Sequence, residues 1–443
     1  MAPNPASKWG VWGALLLKKN TASIRWPKSS VGYTWNKEAM LANDGNSRGG
    51  SLPATRGIIL GQLLSKDCIG GAEVLAAHLA NCHALSGQPS HVIVLGEKGL
   101  LSHRVDPAVS VHYCHFTRSS LRNPIRFAWS ILRGWRIINS IIVKNQIDVL
   151  QTHLPDTNMW GLFMQMMGRC KVVVTIHSNR FFSSSGGTRV GRWVTHRAYS
   201  IMVNYCLPVI TVSQKIKESF IEQLHLSLEN GSKVKVIENG IPIHEIPGLE
   251  NRAAVRDRFG IREDDCWVIA AGRFAEPKNF QCLIRAAAII KVRGVGMQFL
   301  IGGDGPLRSE LELLARELDV QDIVSMPGNL DGLPEIMPAA DIFAIPSLWE
   351  GLPLALLEAM AAGLPVVGSH TKGIADIIAH GQQGLLSEVN DVVGLAESLA
   401  ILANDGGLAR TMGTRGRELV CQRYDIQRVY SEYLGIYSEK LAN

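Results

Sequence analysis

The sequence contains no hydrophobic run long enough to form a membrane-spanning helix. Such a helix needs roughly 20 consecutive apolar residues, and no stretch of the 443-residue chain reaches that length. The nearest candidate for a signal-peptide core is residues 10–17, but only Lys8 precedes it and no small-residue cleavage site follows. We therefore expect neither a membrane span nor a cleaved secretory signal.

Motifs for metals and common cofactors are also missing. The chain has eight cysteines, and no two of them have the close paired spacing of zinc ligands. It has no Asp-x-Asp pair, no histidine cluster, no G-x-G-x-x-G dinucleotide fingerprint and no Walker loop. These absences predict a protein without metal or cofactor, whose cysteines are small buried residues in a reducing compartment. They also disfavour a nucleotide-dependent dehydrogenase.

Charged residues make up only 19% of the chain and hydrophobic residues 46%, a composition typical of a soluble globular protein. At roughly one domain per ~150 residues, the length predicts two or three domains. Residues 1–56 are rich in Pro, Ser, Asn and Gly, and we predict that they form a poorly ordered extension outside the fold.

Acidic residues are scarce in one segment. Residues 107–217 contain fourteen Lys and Arg but only Asp148 and Asp156, so the segment has a net charge of +12. Because the whole chain is +6, the remainder carries −6. Such a segment indicates an anionic partner, whether nucleic acid, a membrane surface or a phosphorylated acceptor. The alternative is a solvated face, which usually mixes both signs.

Strand-like and helix-like segments alternate through two similar halves of the chain. In the first half, a helix over residues 72–85 follows a strand that opens at residue 58, and further strands are predicted over 91–95, 148–152, 171–176, 208–212 and 233–237. In the second half, strands are predicted over 267–271, 297–301, 341–345 and 366–367. Alternation of this kind builds parallel sheets that are covered by helices on both faces.

Residues 238–243 interrupt this alternation, and we place the domain boundary there. The prediction is a first α/β domain over residues 57–240 and a second over 241–425. A last helix over 426–443 is expected to pack back across the boundary.

The most informative segment is a strand, loop, helix, strand unit over residues 341–367. Pro353 can begin a helix without losing a hydrogen bond and Gly363 can end it, so a short apolar helix is predicted between them. Glu350 falls in the loop after the first strand, and Glu358 falls within the helix. Because open α/β sheets bind ligands at the carboxyl ends of their strands, we interpret these carboxylates as site residues rather than solvated ones.

Two cationic side chains follow the strand predicted over residues 267–271. Arg273 and Lys278 are five residues apart, and a guanidinium and an ammonium converging on one spot suit a diphosphate. Departure of that diphosphate requires its developing charge to be neutralised.

The glycine-rich turn 302–306 follows the next strand and either approaches a ligand or simply makes a tight turn.

Glycines and histidines mark the strand ends of the first half. Gly70 and Gly71 precede the helix at residues 72–85, whose amino terminus offers backbone N–H groups to a phosphate. His153 and His177 each end a predicted strand. Two histidines at the same edge of one sheet favour a role in a cleft over a structural role.

Jointly, these residues resemble the motifs of a family-four retaining glycosyltransferase of the group 1 type. The resemblance covers nearly all of residues 56–441. Its marks are Gly70-Gly71-Ala72-Glu73, His177-Ser178, Gly272-Arg273 with Lys278, Gly303-Asp304-Gly305-Pro306, and Glu350 with Glu358. It implies the GT-B fold, in which two Rossmann-like, doubly wound α/β domains face each other across a cleft.

The resemblance also implies roles. Arg273 and Lys278 would hold the diphosphate, Glu350 a hydroxyl of the donor sugar and Glu358 the ribose, while His177 would lie beside the transferred sugar. The expected catalytic residues are His177, Arg273, Lys278 and Glu350. The expected substrate-binding residues are Gly70, Gly71, His153, Asn329, Leu330, Gly351, Leu352 and Glu358. Asn329 and Leu330 would face the base through their backbone, and Gly71 would let its loop close on the phosphates.

The activity implied is transfer of a sugar, with retention of configuration, from a nucleotide-diphosphate sugar of the UDP or GDP type. Front-face attack, with the departing phosphate as base, would account for retention without a metal or cofactor. The sequence departs from the family at Asn279, where the family often has Gly, and at Ala275-Glu276 in a variable loop. Neither change removes a charge.

The acceptor is expected to be a glycan or a lipid-linked molecule in polysaccharide, lipopolysaccharide or glycolipid synthesis. Residues 118–144 interleave basic residues with Phe127, Trp129 and Trp135, a pattern suited to an anionic membrane surface. We therefore expect a peripheral protein on the cytoplasmic face of the membrane, with no nucleic-acid partner. Two alternatives stay open: a sugar-nucleotide epimerase on the same fold, and a non-catalytic nucleotide-sugar-binding subunit of a glycan-assembly complex.

Overall fold

A computed structural model describes residues 57–67, 70–99, 101–116, 124–178, 189–204, 207–243, 246, 251–330 and 332–442. The predicted extension over residues 1–56 lies outside this range, as do Cys68, Cys206, Arg118, Arg122 and Arg180.

The first sheet has seven parallel strands in the order β3-β2-β1-β4-β5-β6-β7. Their bounds are β1 Leu60–Leu64, β2 Ser90–Val94, β3 Ser110–Tyr113, β4 Val149–Thr152, β5 Lys171–Ile176, β6 Val209–Thr211 and β7 Val234–Val236. The central strands are short runs of buried, largely β-branched residues, as expected for a sheet that helices cover on both faces. Strands β1 to β3 extend the sheet in one direction, and β4 to β7 extend it in the other. β1 and β4 are therefore neighbours at the switch point, where the strand order reverses.

Among the described residues, six helices accompany this sheet: α1 Gly71–Leu85, α2 Pro124–Lys144, α3 Pro155–Met166, α4 Arg189–Asn204, α5 Gln214–Leu224 and α6 Leu228–Ser232. A 3₁₀ turn, Leu101–Arg104, precedes β3. Local chemistry sets several of these boundaries. Pro155 occupies the first position of α3, and the Ser213 hydroxyl accepts a hydrogen bond from the amide of Ile216 at the start of α5.

The second sheet has six parallel strands in the order β10-β9-β8-β11-β12-β13. Its strands are β8 Cys266–Ala271, β9 Met297–Gly302, β10 Val324–Gly328, β11 Ile342–Ile345, β12 Val366–Ser369 and β13 Gly384–Ser387. Its helices are α7 Arg252–Arg258, α8 Phe280–Val292, α9 Arg308–Glu317, α10 Leu333–Ile336, α11 Leu354–Ala361, α12 Lys372–Ala375, α13 Val392–Asn404 and α14 Gly406–Arg423. The predicted fold class, two doubly wound α/β domains, is confirmed.

The last helix, α15 Ile426–Ala442, leaves the second domain and packs on α1 of the first. The chain crosses through backbone hydrogen bonds between Ile241 and its neighbours at Tyr424 and Ile426. Tyr430 of α15 then places its hydroxyl 2.8 Å from Nδ1 of His83 on α1. The buried face of α15 also includes Tyr433 and Tyr437, so a substantial part of the first domain's core is built by the end of the chain.

A buried arginine joins α7 to the start of the second sheet. Arg256 is 3% exposed and donates to the carbonyl oxygens of Ala339 at 3.1 Å and Asp265 at 2.5 Å. It also donates to Oδ2 of Asp341 at 3.1 Å, and that same carboxylate oxygen accepts from the amide of Trp267 at 2.8 Å. The pair therefore holds the beginnings of β8 and β11 together.

By length and hydropathy, none of the described helices could by itself span a membrane, although α13 and α14 meet that measure together across a bend of 102°.

Candidate functional site

The two domains meet where the strands of both sheets end. His177 follows β5 of the first domain, and Gly351 lies in the loop after β11 of the second. A Cβ atom placed on Gly351 would lie 3.3 Å from the main-chain oxygen of His177. The loop that carries Glu350 therefore approaches the histidine from across the cleft, and a side chain at position 351 would crowd this contact.

Lys278 and Glu350 form an ion pair in that cleft. Nζ of Lys278 donates to Oε1 of Glu350 at 2.7 Å, and the hydroxyl of Ser347 donates to the same oxygen at 2.7 Å. The Glu350 side chain is 11% exposed and that of Lys278 is 24% exposed, so the pair is largely shielded from solvent. The structure thus brings together two residues that the sequence assigned separately. Arg273, in the same loop as Lys278, is exposed.

The glycine-rich turn after β9 supports the loop of Arg273 and Lys278. Gly303 has a φ of +143°, and a Cβ there would lie 1.9 Å from the carbonyl oxygen of Gly272. A Cβ on Gly305 would lie 2.4 Å from the carbonyl oxygen of Phe274. Only glycine allows these two backbones to pack so closely. The turn therefore sets the shape of the neighbouring basic loop.

Glu358 is buried within α11. It is 7% exposed, and its Oε1 lies 4.0 Å from the guanidinium of Arg104 in the first domain. Burial raises the pKa of the Glu358 carboxyl, and the positive charge of Arg104 partly offsets that rise. A buried carboxyl beside a cation, with its pKa shifted by burial, is the kind of group that often marks a functional site.

The amino terminus of α1 is open beside Gly71 and faces the Glu73 carboxylate beside Gly70. Gly70 caps the 15-residue helix without a side-chain hydrogen bond, and a Cβ on Gly71 would meet nothing within 4 Å. Backbone N–H groups in the first turn of a helix have no partner within the helix, and they favour an anion. The geometry at Gly71 is consequently compatible with phosphate, whereas at Gly70 a Cβ would lie 2.4 Å from the Glu73 carboxylate.

The two histidines contact each other directly. Nδ1 of His153 lies 3.0 Å from Nε2 of His177, and Nε2 of His153 lies 2.5 Å from the side-chain oxygen of Gln62 on β1. His153 is 1% exposed, so both of its ring nitrogens are engaged by protein groups. Burial lowers the pKa of His177 to about 3. Burial, and then the proximity of His177, lowers the pKa of His153 well below its usual value.

Of the remaining expected residues, Asn329 and Leu330 follow the edge strand β10, and Leu352 lies in the loop after β11. Asn329 is exposed just after β10. The side chain of Leu330 covers the end of β9, since its Cδ1 would lie 2.4 Å from a Cβ on Gly302. Leu352 is partly buried beside Gly351.

Several residues of this region were missed by sequence reasoning. Arg104, Ser347, Gln62 and Gln151 all contact a site residue or its immediate neighbour. A signal existed for the two glutamines, because each is a polar residue inside a buried apolar strand. In the part of the chain that the structure describes, no group of three or more His, Cys, Asp or Glu is placed to hold a metal ion.

Family comparisons match both halves of the chain. The model described as "Glycosyltransferase Family 4" matches residues 69–245, and the one described as "Glycosyl transferases group 1" matches residues 251–419. The boundary between the two matches falls in the segment that follows β7.

Two curated relatives extend over much of the chain. An N-acetyl-alpha-D-glucosaminyl L-malate synthase of Bacillus anthracis is 26% identical over 376 residues, which are 84% of this chain and 95% of that protein. A UDP-Gal:alpha-D-GlcNAc-diphosphoundecaprenol alpha-1,3-galactosyltransferase of Escherichia coli is 25% identical over 309 residues, 68% of this chain and 78% of that one.

Solved structures share the same fold. Anabaena HepE in complex with UDP-glucose superposes with a TM-score of 0.71 at 20% identity, covering 86% of this chain and all (100%) of HepE. WaaG, a glycosyltransferase involved in lipopolysaccharide biosynthesis, superposes with a TM-score of 0.65 at 18% identity over 86% of this chain and 99% of that one. With both family models matched and this two-domain architecture, the chain belongs to the family-four, group 1 glycosyltransferases of the GT-B fold.

Proposed function

We propose that this glycosyltransferase transfers a hexosyl group, with retention of configuration and without a metal, from a nucleotide-diphosphate sugar to a membrane- or lipid-linked acceptor. The observation that carries the proposal is the cross-domain meeting of His177 with the loop of Glu350, beside the Lys278–Glu350 ion pair. A sugar placed there would lie between an acceptor-side histidine and the cations that suit its leaving group.

Charge distribution supports the donor half of this proposal. Departure of the nucleotide diphosphate develops negative charge, and we assign Lys278 and Arg273, which share one loop, to offset it. Glu350, already held by Lys278 and Ser347, is assigned to a hydroxyl of the donor sugar, and buried Glu358 to the ribose hydroxyls. Retention would follow if the acceptor hydroxyl attacks on the face that the phosphate leaves, with that phosphate taking the proton.

A UDP-sugar is the favoured donor. HepE was crystallised with UDP-glucose, and the name of the Escherichia coli relative specifies UDP-Gal. The test is a panel of UDP-, GDP- and ADP-sugars, each scored for hydrolysis and for protection of the protein against thermal unfolding. Release of UDP together with a raised melting temperature supports the proposal, whereas no protection by any nucleotide sugar would contradict it.

Variants of Glu350 and Glu358 should differ in which ligand they bind more weakly. We expect Glu358→Gln to weaken binding of free nucleotide diphosphate and intact donor alike, because both contain the ribose. Glu350→Gln should weaken chiefly the intact donor, since only that ligand contains the sugar. Isothermal calorimetry with both ligands on both variants measures this difference.

Glu335→Gln, at an acidic residue in α10 of the same domain, is the matched control for these substitutions and should bind both ligands normally. Equal losses of free-nucleotide affinity in the Glu350 and Glu358 variants would contradict the two assignments.

An exposed face of α2 supports the proposed membrane-linked acceptor. Ile125 is 71% exposed and Trp129 is 64% exposed, and Leu132 continues the same stripe one turn later. Arg133 and Arg136 are exposed beside it. Apolar and cationic side chains that share one helix face are suited to the surface of an anionic bilayer. The face lies in the +12 segment, and its helix belongs to the proposed acceptor domain.

Vesicle cosedimentation tests this face. We expect binding to require anionic lipid and to weaken as salt rises, because screening acts over roughly 8 Å at physiological ionic strength. Replacing Arg126, Arg133 and Arg136 with Gln should remove the salt-sensitive part, and Trp129→Ala should lower what remains at high salt.

The matched control for the arginines replaces Arg410, Arg415 and Arg417, which are exposed on α14 of the other domain. That variant should bind vesicles as the unmodified protein does. Equal binding to neutral and anionic vesicles, or none to either, would assign the basic face to a soluble anionic acceptor.

A further inference from the structure

Asn279 ends the basic loop, residues 272–279, which lies against the glutamate loop, residues 346–353. We propose that the side-chain amide of Asn279 is a positioning group, which joins the two loops and thereby holds Lys278 in a fixed place relative to Glu350. The inference rests on the proposed function, because it concerns the ion pair that is assigned there to the donor.

Backbone conformation alone does not explain an asparagine at this position. Asn279 has a φ of +50°, in the left-handed region that asparagine tolerates and that glycine adopts more readily. It precedes α8, yet its side chain makes no capping hydrogen bond to that helix, all of whose residues are described. Glycine would therefore suit the backbone at least as well, and what asparagine adds is its amide.

That amide connects three loops at the carboxyl ends of strands. Nδ2 of Asn279, after β8, donates to the carbonyl oxygen of Pro346, after β11, at 3.1 Å. It also donates to Oδ1 of Asn390, after β13, at 3.0 Å. An amide nitrogen has two protons, so these bonds use both of them. Asn279 is 8% exposed, and water therefore competes little for its bond to Pro346.

A second hydrogen bond joins the same two loops. The backbone amide of Leu348 donates to the carbonyl oxygen of Pro277 at 2.8 Å. This contact and the one made by Asn279 fit a single register, in which the two segments run in opposite directions. Lys278 lies opposite Ser347 in that register. The residues that hold Glu350 are thus placed between the two loop contacts.

The position of the Lys278 ammonium depends on this arrangement. Nζ of Lys278 and the hydroxyl of Ser347 donate to one oxygen of Glu350, each at 2.7 Å. An ammonium has three protons, so two remain for a ligand beside the one that Glu350 accepts. The spacing of the loops decides where those two protons point. Misplacing a catalytic group by about 1 Å can lower a rate by ~100-fold, so the Asn279 amide should affect turnover.

A double-mutant cycle with Lys278→Ala tests this inference. Asn279→Gly keeps the left-handed backbone and removes the amide, and we expect it to lower kcat/KM for the donor about tenfold. In the Lys278→Ala protein the same substitution should change kcat/KM by less than about twofold, because no ammonium is left to position. Melting curves must show that every variant is folded at the assay temperature.

His225→Gly is the matched control. His225 is exposed and has a φ of +49° at the end of α5 in the first domain, so the substitution makes the same backbone change elsewhere. It should keep kcat/KM within about twofold of the unmodified protein.

A second variant covers the case in which Asn279→Gly does not fold. Asn390→Gly removes one of the two acceptors at another left-handed position, with a φ of +67°. It should lower kcat/KM about threefold, and that loss should also disappear when Lys278 is replaced.

Equal losses with and without the Lys278 ammonium would overturn the inference, because Asn279 would then act independently of it. So would an Asn279→Gly protein whose kcat/KM stays within about twofold of the unmodified protein. A Lys278→Ala protein with normal turnover would instead contradict the proposed function, and the inference that rests on it would be wrong as well. The Lys278→Ala single variant therefore distinguishes the two failures.

Discussion

Replacing Lys278 with alanine should lower turnover by roughly 30- to 1000-fold while leaving the protein folded. An ammonium that offsets charge on a departing diphosphate is worth on the order of 2–4 kcal/mol in the transition state. We propose this role for Lys278, which lies 2.7 Å from Glu350 in the cleft. Arg273→Ala should show a loss of turnover of the same order, since Arg273 lies in the same loop. Steady-state kinetics with the donor identified by the sugar panel measure both effects.

Two basic residues of the same domain serve as controls for these variants. Lys291 on α8 pairs with Asp319 and Asp322, and Arg293 lies 3.9 Å from Glu397. Lys291→Ala and Arg293→Ala remove the same charges away from the site and should keep normal turnover. Melting curves must match across all four variants. Near-normal turnover in both Lys278→Ala and Arg273→Ala would remove the diphosphate assignment.

Replacing Arg256 with alanine should destabilise the second domain by about 1–3 kcal/mol, the range for buried hydrogen-bonding groups that lose their partner, because Asp341 is 31% exposed and keeps Arg252 as an ion-pair partner. Arg256 is 3% exposed, and its loss leaves Asp341 and several carbonyl oxygens with fewer donors where strands β8 and β11 begin. Urea unfolding, followed by circular dichroism and by tryptophan fluorescence, measures the change in the free energy of unfolding.

Arg293→Ala provides the comparison for this prediction. Arg293 lies 3.9 Å from Glu397, and both side chains of this pair are exposed, 41% and 58%. Exposed ion pairs contribute little to stability, so this variant should unfold almost as the unmodified protein does. If the two variants lose the same stability, burial of Arg256 is not what makes its interactions important.

Much of the fold could be predicted from local pattern. Buried apolar runs bounded by glycine or proline identified the central strands of both sheets, and β5 was predicted with its observed bounds. The strands that pattern missed are β3, β10 and β13, which lie at sheet edges. In β3 every residue is at least partly exposed, and β10 contains Pro327. An edge strand needs less apolar sequence, so the patterns of β3 and β10 are weak, whereas β13 is buried but only four residues long.

In the candidate site too, some features could be predicted from the sequence and others could not. Residue type and position after a strand were enough to single out Glu350, Glu358, Arg273, Lys278 and His177. What they contact was not predictable, because Lys278 meets Glu350 and Glu358 meets Arg104 only through folding of distant segments. His153 was expected to bind substrate, and its contacts with His177 and Gln62 through both ring nitrogens were not predicted. Substrate roles at all of these positions stay predictions until the kinetic and binding experiments are done.

The sequence by itself determined the two α/β halves, the family and the strand ends at which the polar residues collect, because periodicity and turn chemistry are local properties of the chain. Tertiary structure alone decided which of those residues touch. The return of α15 to the first domain brings Tyr437 to Gln151, 286 positions earlier in the chain. Contacts of that separation depend on how whole domains pack, and no local pattern encodes them.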